Sequence, residues 1–330
     1  CGPELSVKVM RNPEIYKLCR PVVVGDAKMI EDSLRILKDT KTKINRVSSV
    51  KDAKFELGTI DVYHMDLVDM SKFEYGKVSA MCGDAAFKAV VKVIELAMNG
   101  DIDATVTNAL NKEAINLAGH HYSGHTEIYA EYTKTKKYAM MLAGEGLKVV
   151  HVSTHVSLRE ACDRVKKARV LECIELADRA CRQLGIAKPV VGVCGLNPHA
   201  GENGLFGDEE IKEITPAIEA AKAEGIDAQG PLPPDTAFSK ARGGWYDVNV
   251  VMYHDQGHIP LKVLGFVYDK AEKKWGAVAG VNITLGLPII RVSVDHGTAF
   301  GHAGQGIQNE LSLINSIQYA ALFAKNKDVK

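Results

Sequence analysis

The stretch VNVVMYHDQGHIPLKVLGF, residues 248–266, begins as an apolar run and then turns abruptly polar. Its first six residues are typical of a buried strand in a parallel sheet, where helices cover both faces. His254 and Asp255 follow directly, and Lys262 comes four residues after His258. Ligands of α/β proteins bind beyond the carboxyl ends of parallel strands. The stretch therefore predicts a strand that delivers chargeable side chains to a binding site.

The rest of the chain alternates between short apolar strands and amphipathic helices. Strands are predicted at DATVTN (103–108), LKVVHVS (147–153), PVVGVCGLN (189–197) and PIIRVSV (288–294). Helices are predicted from an N-cap at Asp84 to Gly100, and from Ser157 to Leu184. This alternation predicts an α/β fold with a mostly parallel sheet and helices on both faces. FGHAGQG, at residues 300–306, lacks the glycine order and the setting of a Rossmann fingerprint.

The composition excludes several classes of protein. The 330 residues include 41 Lys and Arg and 41 Asp and Glu, so no basic surface for nucleic acid or an anionic membrane is expected. No apolar run approaches the roughly 20 residues of a membrane helix. Seven scattered cysteines, without a CxxC pair or a signal peptide, predict reduced thiols and a cytoplasmic location. The chain begins at Cys1 without an initiator Met, as expected if it starts inside a longer sequence.

Three predicted strands are each followed by a histidine. LKVVHVSTH ends at His155, VVGVCGLNPH ends at His199, and VNVVMYH ends at His254. Because ligands bind beyond the carboxyl ends of parallel strands, the three imidazoles can converge on one point. Three protein ligands with an open position are typical of a catalytic divalent metal. Their spacing alone also admits the alternative that they are ordinary solvated loop histidines.

Two side chains near these histidines are candidate partners that would orient the metal ligands. Asp255 directly follows His254, and Asn197 lies two residues before His199. Side chains of this kind hydrogen-bond the ring nitrogen that does not face the metal. Three imidazoles accept zinc, manganese, cobalt or nickel.

The segment YSGHTEIYAEYT predicts a binding site for an anion. His125 and Thr126 precede a helical pattern, and the N-terminus of a helix offers free N–H groups to a phosphate or carboxylate. The alternative is that Thr126 is only the N-cap of that helix, which leaves His125 unexplained.

A second candidate anion site is built from cationic and polar residues late in the chain. Arg291 interrupts the apolar run PIIRVSV, and burying a cation there is costly without an anionic partner. It could pair with Asp295 or Asp235, or it could bind a substrate phosphate or carboxylate through two hydrogen bonds. Asp235 lies in the turn-rich GPLPPDTAF, and the alternative to a role in the site is that it caps the helix that follows.

Blocks spread over most of the chain resemble the signatures of one family, the 4-hydroxythreonine-4-phosphate dehydrogenases of pyridoxal phosphate biosynthesis. They lie between about residue 105 and residue 306. These blocks are GHTE, STHVSLRE, GLNPHAGENGLFGDEE, GPLPPDT, YHDQGHIPLK, GVNITLGLPIIR and SVDHGTA.

The resemblance implies an isopropylmalate-dehydrogenase-like α/β/α fold of two lobes, 1–115 with 285–330 and 116–284. It also implies a homodimer with a shared site, NAD or NADP as cofactor, and a divalent metal (Zn, Mn, Co, Ni or Mg). By motif position the metal ligands would be His155, His199 and His254, contributed partly across the interface. Residues in contact with the substrate would be His125, Thr126, Lys262, Asn282 and Arg291. Candidates for orienting these groups or for proton transfer are Asp235, Asp255 and Lys262.

The sequence resembles one branch of the family still more closely. That branch oxidises and decarboxylates 4-phospho-D-threonate or 4-phospho-D-erythronate and yields dihydroxyacetone phosphate. The segments AGENGLFGDEE and DQGHIPLK are similar to the sequence motifs of that branch. The chain departs from the family at Ser123, where Pro is usual, and by an insertion at 267–280 that separates Lys262 from Asn282. Alternatives are a cis-dihydrodiol dehydrogenase of aromatic catabolism, a metal-dependent lyase or aldolase, and a non-catalytic protein that binds a metal and a phosphorylated acid.

Overall fold

The computed structural model describes residues 1–144, 146–265, 268–270, 274–275 and 279–329. The chain divides into two compact units. The first unit comprises Cys1–Lys136 and Leu287–Ala321, and the second comprises Lys137–Gly286 and Leu322–Lys330. A discontinuous first unit was expected, but its boundaries differ from the expected 115 and 285, and the last nine residues belong to the second unit.

The first unit extends beyond residue 115 because the next two helical segments share its core. Ile115, Ile128 and Tyr129 are buried in one cluster with Phe87 and Ile94. These side chains lie on three helices that would be divided between two lobes if the boundary fell at residue 115. Burial of this apolar surface therefore keeps α5 and α6 in the first unit.

The elements of the first unit are numbered along the whole chain. Its helices are α1 (Gly2–Met10), α2 (Pro13–Leu18), α3 (Ala27–Ile36), α4 (Ala80–Met98), α5 (Lys112–Leu117) and α6 (His125–Tyr132). Its strands are β1 (Val23–Gly25), β2 (Lys43–Val47), β3 (Thr59–His64), β4 (Ala104–Thr107) and β13 (Ile290–Val294). Helix α12 (Leu311–Lys325) begins in this unit, and short 3₁₀ turns occupy Val50–Asp52 and Phe300–His302.

All strand pairs of the first unit are parallel. Strand β3 lies between β1 and β2. Strand β13 pairs with β4, and Arg291 lies opposite Thr105 in that register.

The second unit contains the remaining elements. Its helices are α7 (Leu158–Asp163), α8 (Lys167–Gln183), α9 (Thr215–Ala223), α10 (Pro234–Arg242) and α11 (His254–Gly265). Its strands are β5 (Ala139–Gly144), β6 (Leu147–His151), β7 (Val190–Cys194), β8 (Asp227–Leu232), β9 (Val248–Val251), β10 (Tyr268–Asp269), β11 (Lys274–Trp275) and β12 (Val281–Leu285). A 3₁₀ segment spans Pro198–Gly204, and a π-helical turn spans Glu210–Ile214.

The sheet of the second unit has the order β12-β5-β6-β9-β7-β8. The pairs β12–β5 and β5–β6 are antiparallel, and the pairs from β6 to β8 are parallel. The predicted α/β fold with a mostly parallel sheet is therefore confirmed. Among the described residues, no helix is long and apolar enough to cross a membrane.

Two helices differ from their predicted bounds. Helix α4 begins four residues before Asp84, and its N-cap is Ser79, whose hydroxyl accepts a hydrogen bond from Cys82 N. Gly83 allows this earlier start, because a Cβ at that position would lie 2.0 Å from the Ala114 carbonyl oxygen of α5. The helix predicted from Ser157 to Leu184 is divided into α7 and α8.

The predicted insertion at 267–280 lies largely outside the described residues. Within it, β10 and β11 pair antiparallel, with Tyr268 opposite Trp275.

Candidate functional site

His155 and His254 are brought together by two neighbouring parallel strands. Strands β6 and β9 are paired, so their carboxyl ends lie at the same edge of the sheet. His155 lies in the loop between β6 and α7, and His254 is the first residue of α11. Their ring centroids are 5.7 Å apart.

Asp255 fixes the tautomer of His254. The distance between His254 Nδ1 and Asp255 Oδ1 is 2.7 Å. A carboxylate only accepts hydrogen bonds, so Nδ1 carries a proton, and in the neutral ring the lone pair is then on Nε2. This is the arrangement in which a metal-binding histidine is held by a neighbouring carboxylate.

His199 lies on a different structural element from this pair. It follows β7 in the segment Pro198–Gly204, where the backbone from His199 to Asn203 is left-handed, with a φ of 53° at His199. Its side chain is 67% exposed, and its Nδ1 lies 3.6 Å from Glu202 Oε2. Within the described part of the chain, no group of three or more His, Cys, Asp or Glu side chains could hold a metal ion. One chain thus brings together two of the three predicted ligands.

His155 and His254 can supply two of the ligands of one divalent cation. Bonds from zinc to imidazole nitrogen are roughly 2 Å long, so two rings at this spacing can each present one nitrogen to a shared ion. The fixed Nδ1–H tautomer of His254 leaves the correct nitrogen available. A complete set requires a third ligand from His199 or from another chain.

Asn197 does not orient a histidine, contrary to the sequence-based expectation. Its side-chain amide donates to Glu209 Oε2 at 2.7 Å and to Glu210 Oε2 at 2.9 Å. The carboxylate of Glu210, which is 3% exposed, also accepts from the backbone N–H groups of Leu196 and Asn197. The π-helical turn places this acidic pair against the loop after β7. Glu210 therefore holds the loop that leads to His199.

Replacing Glu210 by Ala is expected to lower the free energy of unfolding by about 3 kcal/mol. The change leaves two partly buried N–H groups and the amide of Asn197 without this acceptor, and each lost hydrogen bond costs about 1 kcal/mol. Urea denaturation measures the loss. The matched control is Glu209→Ala, which removes one side-chain bond and should cost about 1 kcal/mol. Equal losses in the two variants would contradict this account of Glu210.

The other candidates of the second unit lie on separate elements. Lys262 is partly buried on α11, eight residues after His254, so the two project from the same face of the helix. Asn282 lies on β12, with its Nδ2 3.1 Å from Met140 Sδ. Asp235 is exposed in the first turn of α10, whose N-cap is Pro233. The expectation that Asp235 caps this helix is therefore wrong.

His125 and Thr126 form the first turn of α6 in the first unit. The N-cap is Gly124, with no side-chain hydrogen bond, so Thr126 is not the cap. Both side chains are partly buried. Burial lowers the pKa of His125 well below its usual value, and the positive charge of Arg291 lowers it further. A neutral imidazole therefore lies near a cation at the start of this helix.

Arg291 lies on β13 and is 3% exposed. Its Nη2 donates to Thr107 Oγ1 at 3.3 Å, and its Cζ lies 5.7 Å from the ring centroid of Tyr129. Tyr129 in turn donates to Thr105 Oγ1 at 2.9 Å. Burial lowers the pKa of Arg291 to about 10, so the guanidinium remains charged at neutral pH. The first unit thus holds a buried cation among hydroxyl and aromatic groups.

Two further histidines near His254 were not singled out from the sequence. The ring of His258 stacks on that of His254, with centroids 3.6 Å apart and an interplanar angle of 9°. His151, which is 1% exposed, lies beyond His258 at 4.7 Å. Burial and then the neighbouring histidine lower the pKa of His258 to about 4 and that of His151 to about 3. The spacing of four residues between His254 and His258 was the signal that could have identified the stack.

Comparison with known proteins gives consistent matches along the chain. The model of the family "Pyridoxal phosphate biosynthetic protein PdxA" matches residues 17–320. The chain is 44% identical to the D-threonate 4-phosphate dehydrogenase of Cupriavidus necator, over 99% of this chain and 94% of that protein. It is 45% identical to the enzyme of the same name from Salmonella typhimurium, over 98% of this chain and 95% of that protein.

Solved structures give the same result. A 4-hydroxythreonine-4-phosphate dehydrogenase from Burkholderia phymatum matches with a TM-score of 0.82 and 42% identity, over 97% of this chain and 94% of that one. A terephthalate 1,2-cis-dihydrodiol dehydrogenase from Burkholderia xenovorans matches with a TM-score of 0.67 and 28% identity, over 97% and 94% of the two chains. The fold is therefore that of the dehydrogenases which the sequence blocks resemble.

Proposed function

The chain belongs to the PdxA family of dehydrogenases, and from this premise we propose that it oxidises and decarboxylates D-threonate 4-phosphate or its erythronate isomer. The C3 carbon gives a hydride to NAD or NADP, and its hydroxyl loses a proton. The bond between C1 and C2 then breaks, carbon dioxide leaves, and C2 takes up a proton. The product is dihydroxyacetone phosphate.

The observation that carries this proposal is identity of 44–45% over 98–99% of the chain with proteins named for D-threonate 4-phosphate. The arrangement of His155, His254 and Asp255 supports it independently, because it is suited to a metal ligand pair with a fixed tautomer. The preference for a hydroxy acid over the amino acid 4-hydroxythreonine 4-phosphate rests on the names of these relatives.

His155 and His254, with His199 as the third ligand, would hold the divalent metal. A bound divalent cation supplies Lewis-acid polarisation of the oxygen on the oxidised carbon. Asp255 keeps a proton on His254 Nδ1, so that Nε2 is the nitrogen available to a metal. Seven cysteines without a disulfide among the described residues agree with an enzyme of the cytoplasm.

The substrate would be anchored by anion-binding groups and by side chains beside the metal. The start of α6, with His125 and Thr126, and the guanidinium of Arg291 are suited to the phosphate or the carboxylate. Lys262 and Asn282 would contact the substrate beside the metal, and Lys262 is the candidate for moving the proton at C2 or C3. We expect a homodimer in which the site is shared.

The alternatives make different predictions. A cis-dihydrodiol dehydrogenase is supported only by the weaker similarity to the terephthalate enzyme. A lyase or aldolase would act without NAD. A binding protein would turn over no four-carbon phosphate at all.

The test is NADH formation by metal-supplemented protein. We expect the kcat/KM for D-threonate 4-phosphate or its erythronate isomer to exceed that for 4-hydroxy-L-threonine 4-phosphate by about 100-fold, because a site built for a hydroxyl disfavours an ammonium group. Dihydroxyacetone phosphate should accumulate in step with NADH. Preference for the amino acid would place the protein in pyridoxal phosphate biosynthesis and contradict the proposed substrate.

A further inference from the structure

A row of imidazoles leads from the core of the second unit to His254. His151 ends β6 and is buried, and His258 lies one helical turn after His254 on α11. His258 contacts both of its neighbours, tilted by 50° against His151 and nearly parallel to His254. His258 is therefore the layer between the core and the ring that the proposed function assigns to the metal.

The orientation of His258 is fixed by a hydrogen bond at its other edge. Its Nδ1 lies 2.9 Å from the backbone carbonyl oxygen of His254. A carbonyl only accepts, so Nδ1 of His258 donates and its Nε2 carries the lone pair. The ring is thus held one helical turn below His254 with its face parallel to the face of His254.

The packing on the far side of His258 requires a glycine. A Cβ at Gly257 would lie 2.6 Å from His151 Nε2 and 2.9 Å from Val251 Cγ2. Helix α11 can approach β6 this closely only because residue 257 has no side chain. His151 therefore supports the helix on which His258 and His254 are mounted.

His254 is restrained on two sides. Asp255 holds its Nδ1 at 2.7 Å, and His258 covers one ring face at a centroid distance of 3.6 Å. The hydrogen bond sets the tautomer, but a single hydrogen bond leaves the ring free to tilt about it. The stacked imidazole removes that freedom.

We propose that His258 is a positioning residue, which holds the ring of His254 by stacking so that its Nε2 is presented beside His155. The inference rests on the proposed metal site. It makes no use of His258 as a ligand, because His258 contacts His254 face to face and not through a shared ion.

The test measures Co²⁺ affinity and the visible absorption spectrum of the Co²⁺ protein, using metal-stripped full-length protein and three variants. His258→Phe keeps an aromatic ring, His258→Leu keeps only apolar volume, and His258→Ala removes both. We expect Co²⁺ affinity to fall about 10- to 100-fold in the Ala and Leu variants and less than about threefold in the Phe variant. The matched control is His121→Phe, which changes an exposed histidine of the first unit and should leave the affinity unaltered.

The outcomes separate the two hypotheses. Two results together support the inference. The wild-type protein binds Co²⁺ and His254→Ala does not, and the Co²⁺ affinity of His258→Phe exceeds the affinities of His258→Leu and His258→Ala. Equal affinities and spectra in the Leu, Phe and wild-type proteins overturn the positioning role while leaving the metal site intact. Wild-type protein that binds Co²⁺ no better than His254→Ala overturns both the metal site and the role of His258. If His258→Ala does not fold, the comparison of Phe with Leu decides.

Discussion

We expect the replacement of His254 by Ala to abolish metal-dependent turnover and to leave the fold intact. A bound cation contributes several kcal/mol to the transition state, so kcat should fall by on the order of a thousandfold or more. The side chain of His254 is 37% exposed, and its loss should cost about 1 kcal/mol of stability or less. Steady-state NADH formation with added metal measures the first effect, and urea denaturation measures the second.

Companion variants locate the rest of the metal site. His155→Ala should match His254→Ala, because the two rings form the pair. Asp255→Asn should lose only about 10- to 100-fold, since it weakens the hold on Nδ1 without removing a ligand. His199→Ala should also abolish turnover if His199 supplies the third ligand. Full activity in His199→Ala would overturn the three-histidine assignment while keeping the pair.

Replacing Arg291 by Met is expected to lower kcat/KM without lowering the free energy of unfolding. Loss of a buried charged partner for a substrate anion costs about 2–5 kcal/mol, so kcat/KM should fall by on the order of 100- to 1,000-fold. Met has a similar length, and it removes the desolvation cost of burying a cation at the expense of the 3.3 Å hydrogen bond to Thr107. We therefore expect kcat/KM to fall while the free energy of unfolding stays constant or rises.

The opposite result would give Arg291 a structural role. If Arg291→Met loses several kcal/mol of stability and keeps its kcat/KM, the guanidinium is a core bridge, as the alternative pairing with Asp295 implies. The control is Arg182→Met in α8, where the guanidinium bonds Asp178 at 2.7 Å. That variant should lose a little stability and no activity.

The sequence predicted the site best where a strand leads directly to the side chain. The apolar runs before His155 and His254 indicated parallel strands, and the structure pairs these strands so that their carboxyl ends lie at one edge of the sheet. The same reasoning placed Asp255 beside His254. Strand position and side-chain type were sufficient in these cases because no long loop intervenes.

The sequence was a poorer guide where tertiary contacts decide. The left-handed backbone at His199 was not predicted from the sequence, and the bond from Asn197 to Glu210 involves a π-helical turn that no local pattern predicts. The start of α4 at Ala80 depends on the close approach of α5 at Gly83, which only packing reveals. The stack beneath His254 likewise depends on His151, which lies far from it in sequence.

The pairing of β13 with β4 has a consequence for synthesis on the ribosome. Thr105 Oγ1 donates to the Ile290 carbonyl across a sequence separation of 185 residues, so this contact cannot form until the chain has been synthesised as far as Ile290. The apolar face of α1, which includes Leu5, is covered even later, because it packs against Leu313 and Ile317. At about 5–20 residues per second, Leu5 remains uncovered by these partners for roughly 15 seconds or more. Helix α1 is therefore synthesised long before the residues that cover its apolar face.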